Sequence, residues 1–332
     1  MRFSPVQMHI PDAFLSIAVA VVCWFITAVV VGIALKRINA TLNERRVPLM
    51  GIMAAFIFAA QMINFPVLGG TSGHLLGGVL AAITLGPWAG MLVMTAVIAV
   101  QGLLFQDGGL VVMGANILNM GLLTCAVGYG LYRSVIGSTR TVKLAVVGVA
   151  AWLSVMAGAL STALQIWLSG NAEVQIIVPA MLFVHTFIGL GEAFITVAAI
   201  LFIMRTRPDL LGEGAESSQG GRGWIFIGVL IALAVVLLSP LASANPDGLE
   251  RVASDLDFIN TAQTAPYQII PDYTIPFLGG TAISTIAAGV IGVIVVLAIA
   301  FIVGRSLQAK RGLNTPPKTN QITQPPIENP KS

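Results

Sequence analysis

Long apolar runs of about twenty residues recur along the chain, parted by short polar, glycine- or proline-bearing breaks. The pattern predicts helices at 14–35, 47–64, 75–86, 88–105, 110–132, 144–168, 178–204, 224–243 and 279–304. The third run is short, and Leu85-Gly86-Pro87-Trp88 breaks it from the fourth, so these two predict a tight helical hairpin. A membrane barrel would instead alternate polarity over segments of about ten residues. The expected fold is therefore an all-α membrane protein with about nine transmembrane helices: a seven-helix core and a two-helix C-terminal hairpin.

Basic residues orient the spans. With the N-terminus outside and the C-terminus cytoplasmic, fifteen of the 17 Lys and Arg face the cytoplasm, and only Arg2 and Arg251 lie outside. Residues 1–210 form the expected transmembrane core. The Gly-rich stretch 211–223 reads as a cytoplasmic linker, and 224–310 as a two-span hairpin. The hairpin's outer loop, 244–278, carries Asp247, Glu250, Asp255, Asp257 and Asp272. The tail, 311–332, is rich in Pro, Asn, Gln and Thr and is expected to be disordered.

Composition agrees with a membrane location. Charged residues make up 9% of the 332, against about 25% in soluble domains, and mean hydropathy is +0.90. The net charge of +3 sits in short loops beside spans, so lipid and not nucleic acid is the expected surroundings. Cys23 and Cys125 fall inside apolar runs and read as packing residues. There is no phosphate-binding Gly-x-x-x-x-Gly-Lys loop, no His-Glu-x-x-His and no Gly-x-Ser-x-Gly. Nothing points to an enzyme or an organic cofactor, and any uphill transport must draw its energy from a partner or an ion gradient.

The chain has three histidines: His9, His74 and His185. His9 lies in Met8-His9-Ile10-Pro11-Asp12-Ala13-Phe14-Leu15, just before the first run. His74 follows Gly69-Gly70-Thr71-Ser72-Gly73. The topology puts both on the outer side, where two imidazoles can begin a site for Ni²⁺, Co²⁺, Zn²⁺ or Cu²⁺. The plainer alternative is that each is hydrogen-bonded to backbone at the interface. If Met8 were the first residue, its α-amine, the His9 amide nitrogen and the His9 imidazole could bind one metal in a plane. His74 would complete four nitrogens, a set that favours Ni(II) or Cu(II). As written, residues 1–7 remove that amine.

Other polar residues in apolar surroundings are candidates for orienting the histidines or lining the ion's path. Asn116 and Asn119 share one face of the fifth run at i and i+3. Asn64 ends the second run, and Thr71 and Ser72 can satisfy the loop before His74. His185 and Glu192, seven residues apart in the seventh run, form either a cation path or a buried structural contact.

These motifs resemble the CbiM/NikM family, the substrate-binding membrane components of energy-coupling-factor transporters for cobalt and nickel. The resemblance rests on the Met8–Leu15 opening, the Gly70–Leu75 histidine loop 65 residues further on, and the segments around Asn116/Asn119 and His185/Glu192. The C-terminal hairpin resembles the small CbiN/NikN companion through Pro246-Asp247-Gly248-Leu249-Glu250 and Pro271-Asp272-Tyr273-Thr274-Ile275-Pro276. It implies that Met8, His9 and His74 hold the metal as transported substrate. It further implies a transmembrane coupling subunit, two cytoplasmic ATPases and a prokaryotic cytoplasmic membrane. Ala13 stands where the family usually has Gly, a change expected to be tolerated at a helix start. The Pro-Asp opening and the fused hairpin are more similar to the nickel branch than to the cobalt branch.

Overall fold

A computed structural model describes residues 8–38, 46–211 and 223–314. The linker at 212–222, the tail beyond 314, residues 1–7, and Arg2, Arg45, Arg222, Lys318 and Lys331 with them lie outside the described residues.

The chain is mostly helical. In order it forms α1 (Ile17–Ile38), α2 (Arg46–Gln61), strands β1 (Phe65–Val67) and β2 (Thr71–Gly73), then α3 (Gly78–Leu85) and α4 (Pro87–Phe105). A broken helix follows: α5 (Met113–Asn116), a π-helical stretch (Ile117–Leu123) and α6 (Thr124–Arg133). Next come α7 (Arg140–Leu168), α8 (Val174–Thr206), α9 (Gly223–Leu238), the short α10 (Gly248–Asp255) and α11 (Ala282–Asn314). α11 thus runs past 311, where the tail was expected to begin.

Among the described residues, five helices, α1, α4, α7, α8 and α11, are long and apolar enough to cross a membrane. Large apolar side chains stand exposed on them, such as Val21 and Phe25 on α1 and Phe183, Leu190 and Phe194 on α8. Water would make such faces costly, whereas lipid tails suit them.

The all-α expectation missed β1 and β2. They pair antiparallel, with Phe65 opposite Gly73 and Val67 opposite Thr71. Gly69 and Gly70 take φ of 83° and 70°, the left-handed backbone that such a tight connection needs. The α3–α4 break falls at Gly86-Pro87: Gly86 has φ 84°, and Pro87 opens the next helix where its missing N–H costs nothing. A Cβ on Gly90 would come within 2.9 Å of the Ala82 Cα, so a glycine lets α3 and α4 close.

α2 packs against both α9 and α11, and α11 also packs on α4, so the C-terminal hairpin is seated on the core. Its outer loop is stitched to the same end of the molecule. Ser243 N donates to Asn64 O (2.7 Å), Gln263 N to Asp12 O (2.9 Å) and Ile270 N to Leu104 O (3.2 Å). The Tyr267 hydroxyl donates to Leu103 O at 2.9 Å.

Candidate functional site

The opening motif folds back across the α4–α5 connection. Asp12 explains why it stays there. One carboxylate oxygen accepts from Leu110 N (3.0 Å), the other from Val111 N (2.9 Å) and Val112 N (3.2 Å). These N–H groups precede α5 and have no helical partner, so a carboxylate satisfies them. Asn116 holds the next strand of contacts: its Oδ1 accepts from Ile10 N at 2.9 Å, and its Nδ2 donates to Ile10 O at 3.1 Å. Gly108, at φ 97°, leaves room for His9, because a Cβ there would meet the His9 Cβ at 2.6 Å.

His74 arrives from the other side, directly after β2. The His9 and His74 rings lie with centroids 6.4 Å apart and planes 26° apart. His74 Nδ1 is 3.0 Å from Leu75 O. A carbonyl only accepts, so Nδ1 carries the proton and Nε2 keeps a lone pair. Both His9 ring nitrogens are buried without a hydrogen bond among the described residues. His9 Nδ1 is 2.9 Å from Asp107 Oδ1, an ion-pair distance without the in-line geometry of a ring N–H bond.

Met8, His9 and His74 line one cavity of about 70 Å³, together with His185, Asn119 and Asp247. That volume admits a cation with a few waters. Among the described residues, no three His, Cys, Asp or Glu side chains are grouped to hold a metal by themselves. A cation between the two imidazoles therefore needs donors beyond these side-chain types.

Asp107 supplies the negative charge. Its Oδ1 accepts from Met8 N at 2.8 Å, and its Oδ2 accepts from the Tyr273 hydroxyl at 2.7 Å. Burial would raise its carboxyl, but the His9 charge and the bonds from Met8 and Tyr273 outweigh burial and hold it below the usual range. Burial lifts the Tyr273 hydroxyl well above its ordinary value, with Asp107 adding to the rise, so it stays a donor. Asp247 is raised to about 7 by burial, against the bond it accepts from Glu250 N.

The remaining candidates divide. Asn119 faces α7: it donates to Thr162 Oγ1 (3.1 Å) and Gln165 Oε1 (2.8 Å) and accepts from Ser161 Oγ (2.8 Å). The π-helical stretch begins between the two asparagines, so they serve different partners although both line the cavity. His185 Nδ1 is 2.7 Å from Met181 O, which leaves Nε2 as the lone-pair nitrogen. Glu192 is not in the cavity wall; it accepts from Leu76 N (2.7 Å) and Gly77 N (3.0 Å). Ser72 docks the outer loop, its hydroxyl on Asn245 O at 2.8 Å and its N–H on Pro246 O at 2.8 Å. Thr71 closes its own turn on Leu68 O at 3.0 Å. The Asn64 side-chain amide has no hydrogen-bond partner among the described residues, and it is not in the cavity wall.

Residues 9–210 match the family model described as the cobalt uptake substrate-specific transmembrane region, CbiM. The chain belongs to the CbiM family. Residues 222–309 match the PDGLE domain. A putative fused nickel transport protein NikMN of Archaeoglobus fulgidus is 33% identical over 307 residues, covering 90% of this chain and 98% of that one. The fused nickel transport protein NikMN of Rhodobacter capsulatus is 32% identical, covering 68% and 71%. The cobalt transport protein CbiM of Geobacter sulfurreducens is 30% identical, covering 65% of each. A solved structure of a truncated transition metal transporter has a TM-score of 0.54 and 33% identity, covering 60% of this chain and 99% of that one.

As a CbiM member the chain is a multi-pass metal-transport component that works with other transport subunits, not an enzyme. Sequence reasoning missed Asp107, which sits alone in Gln106-Asp107-Gly108-Gly109 and reads as a turn. The available signal was an acid between two apolar runs on the side expected to carry His9 and His74.

Proposed function

We propose that this CbiM member captures Ni²⁺ at the outer face for an ATP-driven energy-coupling-factor importer. A transmembrane coupling subunit and two cytoplasmic ATPases would power it in a prokaryotic cytoplasmic membrane. The carrying observation is that Met8, His9 and His74 line one small cavity, with Asp107 Oδ1 2.8 Å from Met8 N and 2.9 Å from His9 Nδ1. With Met8 as the mature first residue, its amine, the His9 amide nitrogen, His9 Nδ1 and His74 Nε2 are the four ligands. That planar nitrogen set, and the fused nickel relatives, favour nickel over cobalt.

The reading carries nine spans, N-terminus outside, with seven in 1–210 and two in 224–310. The short third crossing is physically sound. α3 is eight residues, or about 12 Å, and the non-helical residues 74–77, ending in left-handed Gly77, lengthen the crossing ahead of it. Non-helical backbone at membrane depth must be buried and satisfied. Here Glu192 accepts from Leu76 N and Gly77 N, and Gln61 Nε2 donates to Leu76 O at 2.9 Å.

The test is the intact mass and N-terminal residue of the membrane-extracted protein, with and without nickel, beside His9→Ala and His74→Ala. Expected are a chain beginning at Met8, one bound metal, and loss of binding in both variants. Nickel uptake retained in both variants would sink the proposal. Tighter cobalt binding would transfer it to cobalt.

A further inference from the structure

The outer loop between α9 and α11 lines the metal cavity with Asp247, Gly248 and Leu249, and it reaches Asp107, beside the cavity, through a single hydroxyl. Asp107 is engaged on two sides: Oδ1 faces Met8 N at 2.8 Å and His9 Nδ1 at 2.9 Å, while Oδ2 accepts from the Tyr273 hydroxyl at 2.7 Å. Tyr273 is 1% exposed. Its ring stacks on Phe105 with centroids 4.7 Å apart and planes 16° apart, and tilts over Phe58 at 6.2 Å. A phenylalanine would fill that slot as well, so ring packing alone does not call for the hydroxyl.

The backbone is bent to deliver it. Asp272 and Tyr273 take φ of 48° and 55° in succession. A bulky residue there is a genuine outlier, and such strain persists only where the surroundings over-determine it. The surroundings are the bonds from Ile270 N to Leu104 O and from Tyr267 to Leu103 O, which tie the loop to the end of α4 just before Asp107.

We propose that Tyr273 is a positioning residue of the metal site: its hydroxyl fixes the Asp107 carboxylate against Met8 N and His9. The C-terminal hairpin then sets metal affinity through one hydrogen bond as well as through its packing on the core. The inference rests on the nickel-capture reading above. A carboxylate free to turn about its last torsion presents its charge in several directions. One held by a short hydroxyl bond keeps Oδ1 on the two proposed ligands, where it offsets the charge of a divalent cation. Partners that orient metal ligands this way typically change affinity by about 10–100-fold when removed.

The experiment is a Ni²⁺ titration of the detergent-purified full chain as wild type, Tyr273→Phe, Asp107→Asn, the double variant and His9→Ala. It is followed by calorimetry and by the visible band of planar nickel, with the melting temperature of each variant. Tyr273→Phe should weaken binding by roughly tenfold or more, shift the nickel band and leave the melting temperature near wild type. The double variant should be no weaker than Asp107→Asn, because the tyrosine acts through the aspartate. Wild-type affinity in Tyr273→Phe, with His9→Ala unable to bind, overturns this inference alone. So do losses that add in the double variant, or a loss that merely follows a fall in melting temperature. A wild-type chain that binds no nickel, or a His9→Ala chain that keeps it, overturns the metal-site reading and this inference with it.

Discussion

Asn116 grips Ile10 by both edges of its amide, accepting from Ile10 N at 2.9 Å and donating to Ile10 O at 3.1 Å. The residue after His9 is thereby fastened to the wall of the bundle, and the imidazole inherits that position. Asn116→Leu leaves Ile10 N buried and unpaired, at a cost of about 1–3 kcal/mol, while Ile10 O keeps the bond from Gly109 N at 2.9 Å. The expected outcome is a chain that still extracts and folds but binds nickel at least tenfold more weakly, read by calorimetry. Asn116→Asp keeps the acceptor for Ile10 N but turns a second oxygen toward Ile10 O, so it should weaken binding as well. Unchanged affinity in Asn116→Leu would mean that His9 is held by something else.

Ala13 takes φ 71°, in the left-handed region, and lies ahead of α1 instead of within its first turn. The expectation that alanine is harmless there is therefore corrected: a Cβ in this conformation costs about 1–2 kcal/mol. Ala13→Gly removes that cost and gives part of it back as greater freedom in the unfolded chain. A gain of about 1 kcal/mol is expected, seen as a higher melting temperature in detergent with nickel affinity unchanged. A lower melting temperature would show that the neighbours of Ala13 need its methyl group.

Glu192 spends both carboxylate oxygens on the N–H groups of Leu76 and Gly77. Glu192→Gln turns an NH₂ toward one of those donors, so one bond becomes a repulsion inside the bundle. The segment that follows His74 should loosen. Weaker nickel binding and a lower melting temperature should therefore appear together in the purified protein, without any ATPase. A cation relay through Glu192 predicts the reverse pattern: normal binding and fold, with flux alone abolished.

How far the sequence foretold this arrangement depended on the range of each signal. Helix positions and the Gly86-Pro87 break are local, since periodicity and missing N–H groups act within a few residues. The Met8-His9 and Gly73-His74 motifs are likewise visible as strings. Asp107 and Tyr273 are 166 residues apart, and neither is distinctive in its own neighbourhood. Glu192 invited pairing with His185 because both sit on one helix face. Its actual partners are backbone N–H groups that exist only because residues 74–77 are not helical, a tertiary fact that side-chain spacing cannot carry. The β1–β2 hairpin was hidden for a related reason: three-residue strands are too short to show a period.

Asp247 caps α10 by accepting from Glu250 N at 2.6 Å, and it does so almost fully buried in the cavity wall. Burial raises its carboxyl from 3.8 to about 7; Glu250 and Asp107 push the same way, while Glu250 N and His9 oppose. The sign follows from linkage. A raised carboxyl binds its proton more tightly in the folded chain, so its contribution is fully present below pH 3.8 and is lost as pH rises through about 7. Asp247→Asn keeps an oxygen for the cap, since asparagine caps as well as aspartate, and it never ionises. Melting temperatures in detergent should therefore favour the variant increasingly as pH rises from 5 to 8, roughly the range in which the raised carboxyl ionises. A difference that stays constant across that range would mean that Asp247 is already ionised in the fold, held so by a partner other than the Glu250 N–H.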